Sequence, residues 1–439
     1  MKILLWHGYL LGGTGSNVYT RALARAWSRQ GHEVIVFSQD PHPERYDLGG
    51  ARVVRPDIGP ILPVFVVDRY EDLEARRIQD LGWQERTHFV EVNAAALREH
   101  LPAELVFTNH LIMGGPVGAA AGVPYVVKAH GSELEFTLRG NEELCAWARE
   151  TLAPAKSVIA GTDHVRRVIE EVLGPGPWLD RTHVVPPGVD VDEFRPRPRE
   201  EALAGLLAEA RLDPPNPPER HNQRLPDEGN AERLRCFLAG DAPTVVFVGR
   251  VSHEKGAHVL VDALRRVGTR CVMVGWGDIR DELQAEAREL PILFTGPMEH
   301  RHLVHLYALA DVAVTPSTFP EAFGMVAAEA AACGALPLSA NHSGMAEVTA
   351  TLAPALEPEL RPLMAFDVGP GSVEEIAEKL VAWLTLDPAT RAGARAALAE
   401  AAAGQYSWES VAEGVIAAAQ GRLEGLPSPA PPADSVPGP

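Results

Sequence analysis

Glu321 and Glu329 stand eight residues apart, and Ala-Phe-Gly-Met-Val-Ala-Ala fills the gap. A carboxylate in such apolar company is costly unless it is paired or hydrogen-bonded. Hydroxyl groups of a sugar or a ribose would serve, because a carboxylate accepts from O–H. Met325 to Cys333 combines strong helix formers with Gly334 as a stop, so it reads as a short buried helix. Gly324 sits just ahead of that helix, where backbone N–H groups attract anions and electron-rich oxygens. The plainer alternatives are an exposed Glu321 and a Glu329 bridged to a core Arg.

A second group of residues asks for negative charge. Val246-Phe-Val-Gly-Arg-Val-Ser-His-Glu-Lys-Gly256 reads as a strand running into Gly249 and Arg250, with Lys255 near a helix start. Arg offers a planar fork of donors and Lys a point charge, so the two can clamp a diphosphate. Charge building on a departing diphosphate would be stabilised without a metal. Two solvated cations on a surface turn are the alternative. Gly12-Gly13-Thr14-Gly15-Ser16 follows the first strand. It has neither the Lys of a phosphate-binding P-loop nor the GxGxxG spacing, but it suits a backbone that approaches a phosphate closely. His130-Gly131-Ser132-Glu133 follows another strand and could meet a ligand there. The turns Gly275-Trp276-Gly277 and Gly296-Pro297-Met298 could frame a base with backbone groups, or could be ordinary turns.

Strand and helix patterns alternate along the whole chain, which argues for parallel α/β sheets. Lys2 to His7, a helix over Ser16 to Arg29 and Glu33 to Ser38 form a first βαβ unit. Strands are expected near 52–55, 105–108, 125–129, 157–160 and 183–185, with helices over 86–100, 142–152 and 164–173. Gly59 to Trp83 gives no regular pattern. A second alternating set opens at Thr244 to Val248 and continues through strands near 270–274, 292–295, 311–315 and 335–339. Its helices are expected over 257–267, 279–290 and 300–309, with closing helices over 372–384, 389–403 and 407–422. Between the sets lies Pro196 to Asp241, whose Asp213-Pro-Pro-Asn-Pro-Pro218 run excludes helix and central strand. Short helices are expected on either side of it, over 200–210 and 230–238.

At 439 residues with 46% apolar content there is material for two cores. The net charge of −19 argues against a general nucleic-acid binder and against attraction to an anionic membrane. The four scattered cysteines form no CxxC pair and fit a reducing cytoplasm. The apolar start is too short for a signal peptide and reads as a strand. No run approaches the ~18 apolar residues of a spanning helix.

Gly249-Arg250-x4-Lys255-Gly256, Glu321-x7-Glu329 with Phe323-Gly324, His130-Gly131 and Pro187-Gly188-Val189-Asp190 together, in their order and spacing along the chain, resemble the retaining glycosyltransferases of family 4. The resemblance covers residues 1 to 422 and implies the GT-B fold: α/β, two Rossmann-like domains facing each other across a cleft. It implies an acceptor domain over 1–190 and a nucleotide-sugar domain over 191–405 that carries the insertion 196–241. A helix over 406–422 would return to the first domain, ahead of a disordered tail over 423–439. By the same resemblance Arg250 and Lys255 hold the diphosphate of a UDP- or GDP-sugar, beside Gly249 and Gly13. Glu329 binds the ribose, while Glu321 and the amides of Phe323, Gly324 and Met325 bind the donor sugar. His130 stands beside the transferred sugar.

The implied activity is retaining hexosyl transfer by front-face attack, with no metal and no cofactor beyond the nucleotide-sugar co-substrate. The acceptor would be a small molecule, a sugar or a sugar phosphate, read by first-half loops: Gly12 to Asn17, Arg69 to Arg77, Asn109, His110, Glu133 and Arg139. No nucleic-acid partner and no stable membrane association are expected, and a homodimer stays open. The insertion 196–241 departs from the family by its length and Pro content. A GT-B nucleotide-sugar epimerase and a non-catalytic nucleotide-sugar binding module are the competing readings.

Overall fold

A computed structural model describes residues 1–12, 15–65, 73–215, 225–422 and Glu424. Gly13, Thr14, Arg69, Tyr70, the middle of the insertion and the tail after Glu424 lie outside the described residues. The chain divides into two compact units. Met1–Gly188 and the helix Trp408–Ala419 belong to one, and Val189–Ser407 makes the other.

The first unit is built on β1 (Lys2–Trp6), β2 (Glu33–Phe37), β3 (Arg52–Val54), β4 (Ile61–Val64), β5 (Glu74–Arg77), β6 (Leu105–Asn109), β7 (Val126–Lys128), β8 (Ser157–Ala160) and β9 (Thr182–Val184). Seven of these form one parallel sheet in the order β3-β2-β1-β6-β7-β8-β9. Ile3 to Trp6 are wholly buried, as expected of a central parallel strand covered on both faces. β4 and β5 pair by themselves. Sequence reading left this region irregular, because Glu74-Ala-Arg-Arg77 has no run of strand formers and is held by pairing to Ile61–Val64. The helix Trp408–Ala419 packs on the helix Gly15–Arg29, and Trp27 donates its indole N–H to Ala412 O at 3.0 Å.

The second unit holds β10 (Thr244–Val248), β11 (Arg270–Val274), β12 (Ile292–Phe294), β13 (Val312–Thr315), β14 (Leu336–Ala340) and β15 (Ala365–Phe366). They form one parallel sheet, β12-β11-β10-β13-β14-β15. The helix Met325–Ala332 is buried from Ala327 to Ala332. Its run of alanines lets it lie close to β13, β14 and the helix Pro388–Tyr406. Two helices differ most from the expected bounds. The helix expected over 279–290 spans only Arg280–Glu286, and residues 287–289 form a turn ahead of Pro291. The helix Pro388–Tyr406 runs on to Tyr406, and Ser407 is extended before the next helix starts at Trp408. The helix Ser343–Leu352 and the two-residue strand β15 escaped the sequence reading altogether. Within the insertion, Arg199–Ala210 and Asn230–Phe237 are helical, as expected.

Trp383 is completely buried in this unit and donates its indole N–H to Asp311 O at 3.1 Å. Trp383→Ala is expected to cost about 3–5 kcal/mol of stability. In urea it should shift the unfolding transition of the second unit to lower denaturant; a transition left in place would contradict this packing.

Candidate active site

The site begins with the loops at the carboxyl ends of β10, β11 and β12. Gly249 N donates to Val274 O and Gly275 N to Gly296 O, both at 3.0 Å. A side chain on Gly275 would strike the Gly249 carbonyl, so the three loops make a backbone floor free of side chains at that point. Sheets of this kind meet their ligands at these strand ends.

Lys255 and Glu321 lie 66 residues apart in sequence, yet Lys255 Nζ and Glu321 Oε1 are 2.5 Å apart. Several backbone contacts create the meeting. Thr318 N donates to Glu254 O at 2.8 Å, and the Ser317 hydroxyl donates to the same carbonyl at 3.2 Å. Gly256 has φ +66, and a Cβ there would fall on the Pro316 carbonyl, so the approach needs glycine. Glu321 is fixed from its other side. Its N–H donates to Ser343 Oγ at 2.9 Å, and its carbonyl accepts from Gly344 N at 2.9 Å. Ser343 takes a positive φ of 54° to do this. The pair is partly exposed, at 36% for Lys255 and 24% for Glu321, so a ligand can reach both. Arg250 is exposed and, among the described residues, in no ion pair.

Glu329 sits on the helix Met325–Ala332 and is 4% exposed. Burial pushes its carboxyl up to about 8, so it is mostly protonated at neutral pH. Its neighbour is not a core Arg. His300, the first residue of the helix His300–Leu309, places Nε2 3.5 Å from Glu329 Oε1. Gly324 precedes the Glu329 helix with φ +134, and Phe323 is buried against Tyr406, their rings 5.5 Å apart. The first N–H groups of this helix have no preceding turn to donate to.

The first unit gathers its chemistry around His130, at the end of β7. His130 Nε2 lies 2.9 Å from Asn109 Oδ1, and its ring is 4.5 Å from that of His110. His7 Nε2 lies 2.8 Å from Asn17 Oδ1. Desolvation holds all three imidazoles neutral at pH 7, with His7 lowered to about 4 and the other two well below their ordinary value. His110 has φ +71, is buried, and among the described residues has no hydrogen-bond partner for either ring nitrogen, Nδ1 lying 3.9 Å from Glu133 Oε1.

Glu133 is wholly buried and pushed up to about 8 by burial. It accepts from His130 N at 2.9 Å and Ile112 N at 3.2 Å, which ties the loop after β6 to the loop after β7. Lys128, 3% exposed, is lowered to about 7 by desolvation, and its Nζ lies 5.4 Å from the centre of the Tyr19 ring.

The second unit therefore brings Lys255 to Glu321, and fixes Phe323, Gly324, Met325 and Glu329 on one turn and helix. His130 belongs to the first unit, and Gly13 lies outside the described residues. Among the acceptor-side residues, Glu133 is spent on backbone N–H groups. Arg76 pairs with Glu85, Arg77 with Asp80, and Arg139 with Glu135 and Glu171, all at the surface. Sequence reading missed Lys128, His7, His300 and Ser343. Only Ser343 left a signal, in the Asn-His-Ser-Gly turn after β14. Among the described residues no three His, Cys, Asp or Glu side chains could hold a metal ion, and no helix is long and apolar enough to cross a membrane.

Residues 13–193 match Glycosyltransferase Family 4, and residues 233–403 match Glycosyl transferases group 1. The D-inositol 3-phosphate glycosyltransferase of Xylanimonas cellulosilytica is 31% identical over 362 residues, covering 76% of this chain and 77% of the relative. The D-inositol 3-phosphate glycosyltransferase 1 of Catenulispora acidiphila is 26% identical, covering 94% and 91%. Among solved structures, the sucrose-phosphate synthase of Thermosynechococcus elongatus aligns with TM-score 0.64 at 22% identity, over 94% of this chain and 97% of that one. HepE of Anabaena, solved with UDP and glucose, aligns with TM-score 0.64 at 18% identity, over 94% and 98%. The fold class is GT-B, with two parallel α/β units.

The protonated Glu329 makes a pH prediction. Its folded value of about 8 lies above the ordinary 4.5, so between these two values the folded state binds more protons than the unfolded state. Its contribution to stability is lost as pH rises through that window and levels off above pH 8. Glu329→Gln removes the titration. Relative to the parent, the variant should gain up to a few kcal/mol between pH 5 and pH 8, measured by urea unfolding across pH; parallel profiles would contradict the assignment.

Proposed function

The chain belongs to glycosyltransferase family 4, and from that premise we propose that it is a retaining hexosyltransferase. It moves a sugar from a UDP- or GDP-sugar to a hydroxyl of a small molecule, sugar or sugar phosphate. The observation that carries this is the 2.5 Å contact of Lys255 with Glu321, one turn ahead of the helix that bears the buried, protonated Glu329. The Lys255 cation brought to the Glu321 carboxylate, and the neutral carboxyl of Glu329 on the helix that follows, suit the diphosphate, the sugar and the ribose in turn. HepE, which shares the fold, was solved with UDP and glucose, and the relatives named for D-inositol 3-phosphate support a small polyol or sugar-phosphate acceptor.

In this reading the departing diphosphate draws Lys255 partly away from Glu321. Arg250 supplies its fork of N–H donors, and Gly249 lets the backbone approach; Gly13 is assigned to the same diphosphate by the family resemblance alone. The two cations take the charge that develops as the bond from the anomeric carbon to the diphosphate oxygen breaks, so the reaction runs without a metal. Glu321 accepts from donor-sugar hydroxyls, and the amides of Phe323, Gly324 and Met325 donate to its oxygens. Glu329 both donates to and accepts from the ribose hydroxyls, because a neutral carboxyl has an O–H as well as a carbonyl.

The acceptor oxygen attacks from the face the diphosphate leaves, and its proton passes to the leaving oxygen. His130 is assigned to the transferred sugar. Being neutral and held at Nε2 by Asn109, it orients the sugar and adds no positive charge beside an anomeric carbon that is itself becoming positive. A reducing cytoplasm is the compartment assigned to the chain, on the ground that its four scattered cysteines form no CxxC pair.

The test is incubation with UDP-, GDP- and ADP-sugars and a mass-spectrometric acceptor screen. Lys255→Ala and Glu329→Ala should each lower kcat/KM by about 10²–10³, and His130→Ala should lower kcat more than it raises KM. Parent-like turnover in both Lys255→Ala and Glu329→Ala would refute the site.

A further inference from the structure

The two family matches leave residues 194–232 uncovered, and this stretch carries most of the Pro-rich insertion. Its described ends grip the loop from β12 to the helix His300–Leu309 from both sides. On one side Asp227 N and the Asn230 side-chain amide both donate to Thr295 O, at 2.8 Å each. Arg233 donates to Phe294 O at 2.6 Å and to Asn230 Oδ1 at 2.8 Å. The Asp227 carboxylate bonds Arg280, whose guanidinium lies 4.9 Å over the Trp276 ring. A Cβ on Gly296 would come within 2.8 Å of Asp227 Oδ1, so the loop has a glycine where the insertion presses on it. On the other side Asp213 lies 2.5 Å from Arg301 Nη2 and 3.0 Å from His302 Nε2. Glu209 holds Arg301 as well, at 3.0 Å, and Arg301 reaches Glu299 at 2.9 Å.

The gripped loop, Gly296 to Glu299, continues the glycine floor and runs straight into His300, the neighbour of Glu329. If the diphosphate is held at Lys255 and the ribose at Glu329, Trp276 and this loop are what remains of that wall for the base. Backbone groups tell one base edge from another only if they are held still, because discrimination comes from leaving a fixed polar group unpaired with the wrong partner. We propose that the two described ends of the insertion set the base preference of the donor, with Asp227 and Asp213 as positioning residues that immobilise the Gly296–Glu299 loop and the Arg280–Trp276 stack. This rests on the nucleotide-sugar reading above.

Calorimetric Kd values for UDP, GDP and ADP on the parent, Asp227→Ala and Asp213→Ala test it. The parent should favour one diphosphate. In each variant that keeps the parent's circular dichroism, the ratio of next-best to best Kd should fall about tenfold or more. A merely structural role would weaken all three alike and leave the ratio in place. A ratio within twofold of the parent's in either folded variant overturns the proposal, and so does a parent that binds all three equally. Were the parent to bind none of the three, the donor reading itself would fall and this inference with it.

Discussion

The Lys255–Glu321 contact is the constraint to which the second unit is fitted. It joins loops 66 residues apart, and it exists only because Gly256 lets the chain pass the Pro316 carbonyl and the 317–319 segment bonds to Glu254. A partly exposed ion pair is worth about 1 kcal/mol or less. That weakness suits the proposed role. A deeply buried pair would resist separation, whereas this one can shift its cation toward a phosphate at little cost. The scaffold holds the backbone of the two loops firmly and leaves the side chains free to change partners.

Burial raises two carboxyls to about 8, and the two differ in what surrounds them. Glu133 is surrounded by backbone N–H groups and closes a loop. Glu329 has His300 at 3.5 Å and retains bonding capacity. From sequence alone both are acidic residues next to apolar ones. The difference lies in which backbone groups the fold turns toward them.

That is also the limit of what the sequence discloses. The order of strands and helices was legible because parallel sheets need apolar strands and amphipathic helices in alternation. The Gly-Arg-x4-Lys-Gly turn and the Glu-x7-Glu stretch were legible because their chemistry is written within a few residues. The partner of Glu329 was not. His300 comes from the neighbouring helix, and helical periodicity does not say what another helix presents to it. Lys128 and His7 were hidden for a similar reason, since each looks like an ordinary strand end until its neighbours close around it, β6 and β8 for Lys128 and β2 and β6 for His7. The Ser343 turn bears on Glu321 only across 22 residues. The β4–β5 pair shows the same point in the backbone, because its second strand is defined by its partner and not by its composition.

The cysteines, unremarkable as chemistry, have a practical side. Cys145, Cys271 and Cys333 are buried, while Cys236 is exposed on the helix Asn230–Phe237. Burial also pushes the Cys271 and Cys333 thiols up, Cys333 to about 12, which keeps them as unreactive thiols. An alkylating dye therefore finds one address on the native chain. That address lies three residues past Arg233, on the helix that leads the insertion back to the sheet, so the unmodified sequence already carries an attachment point for an optical reporter.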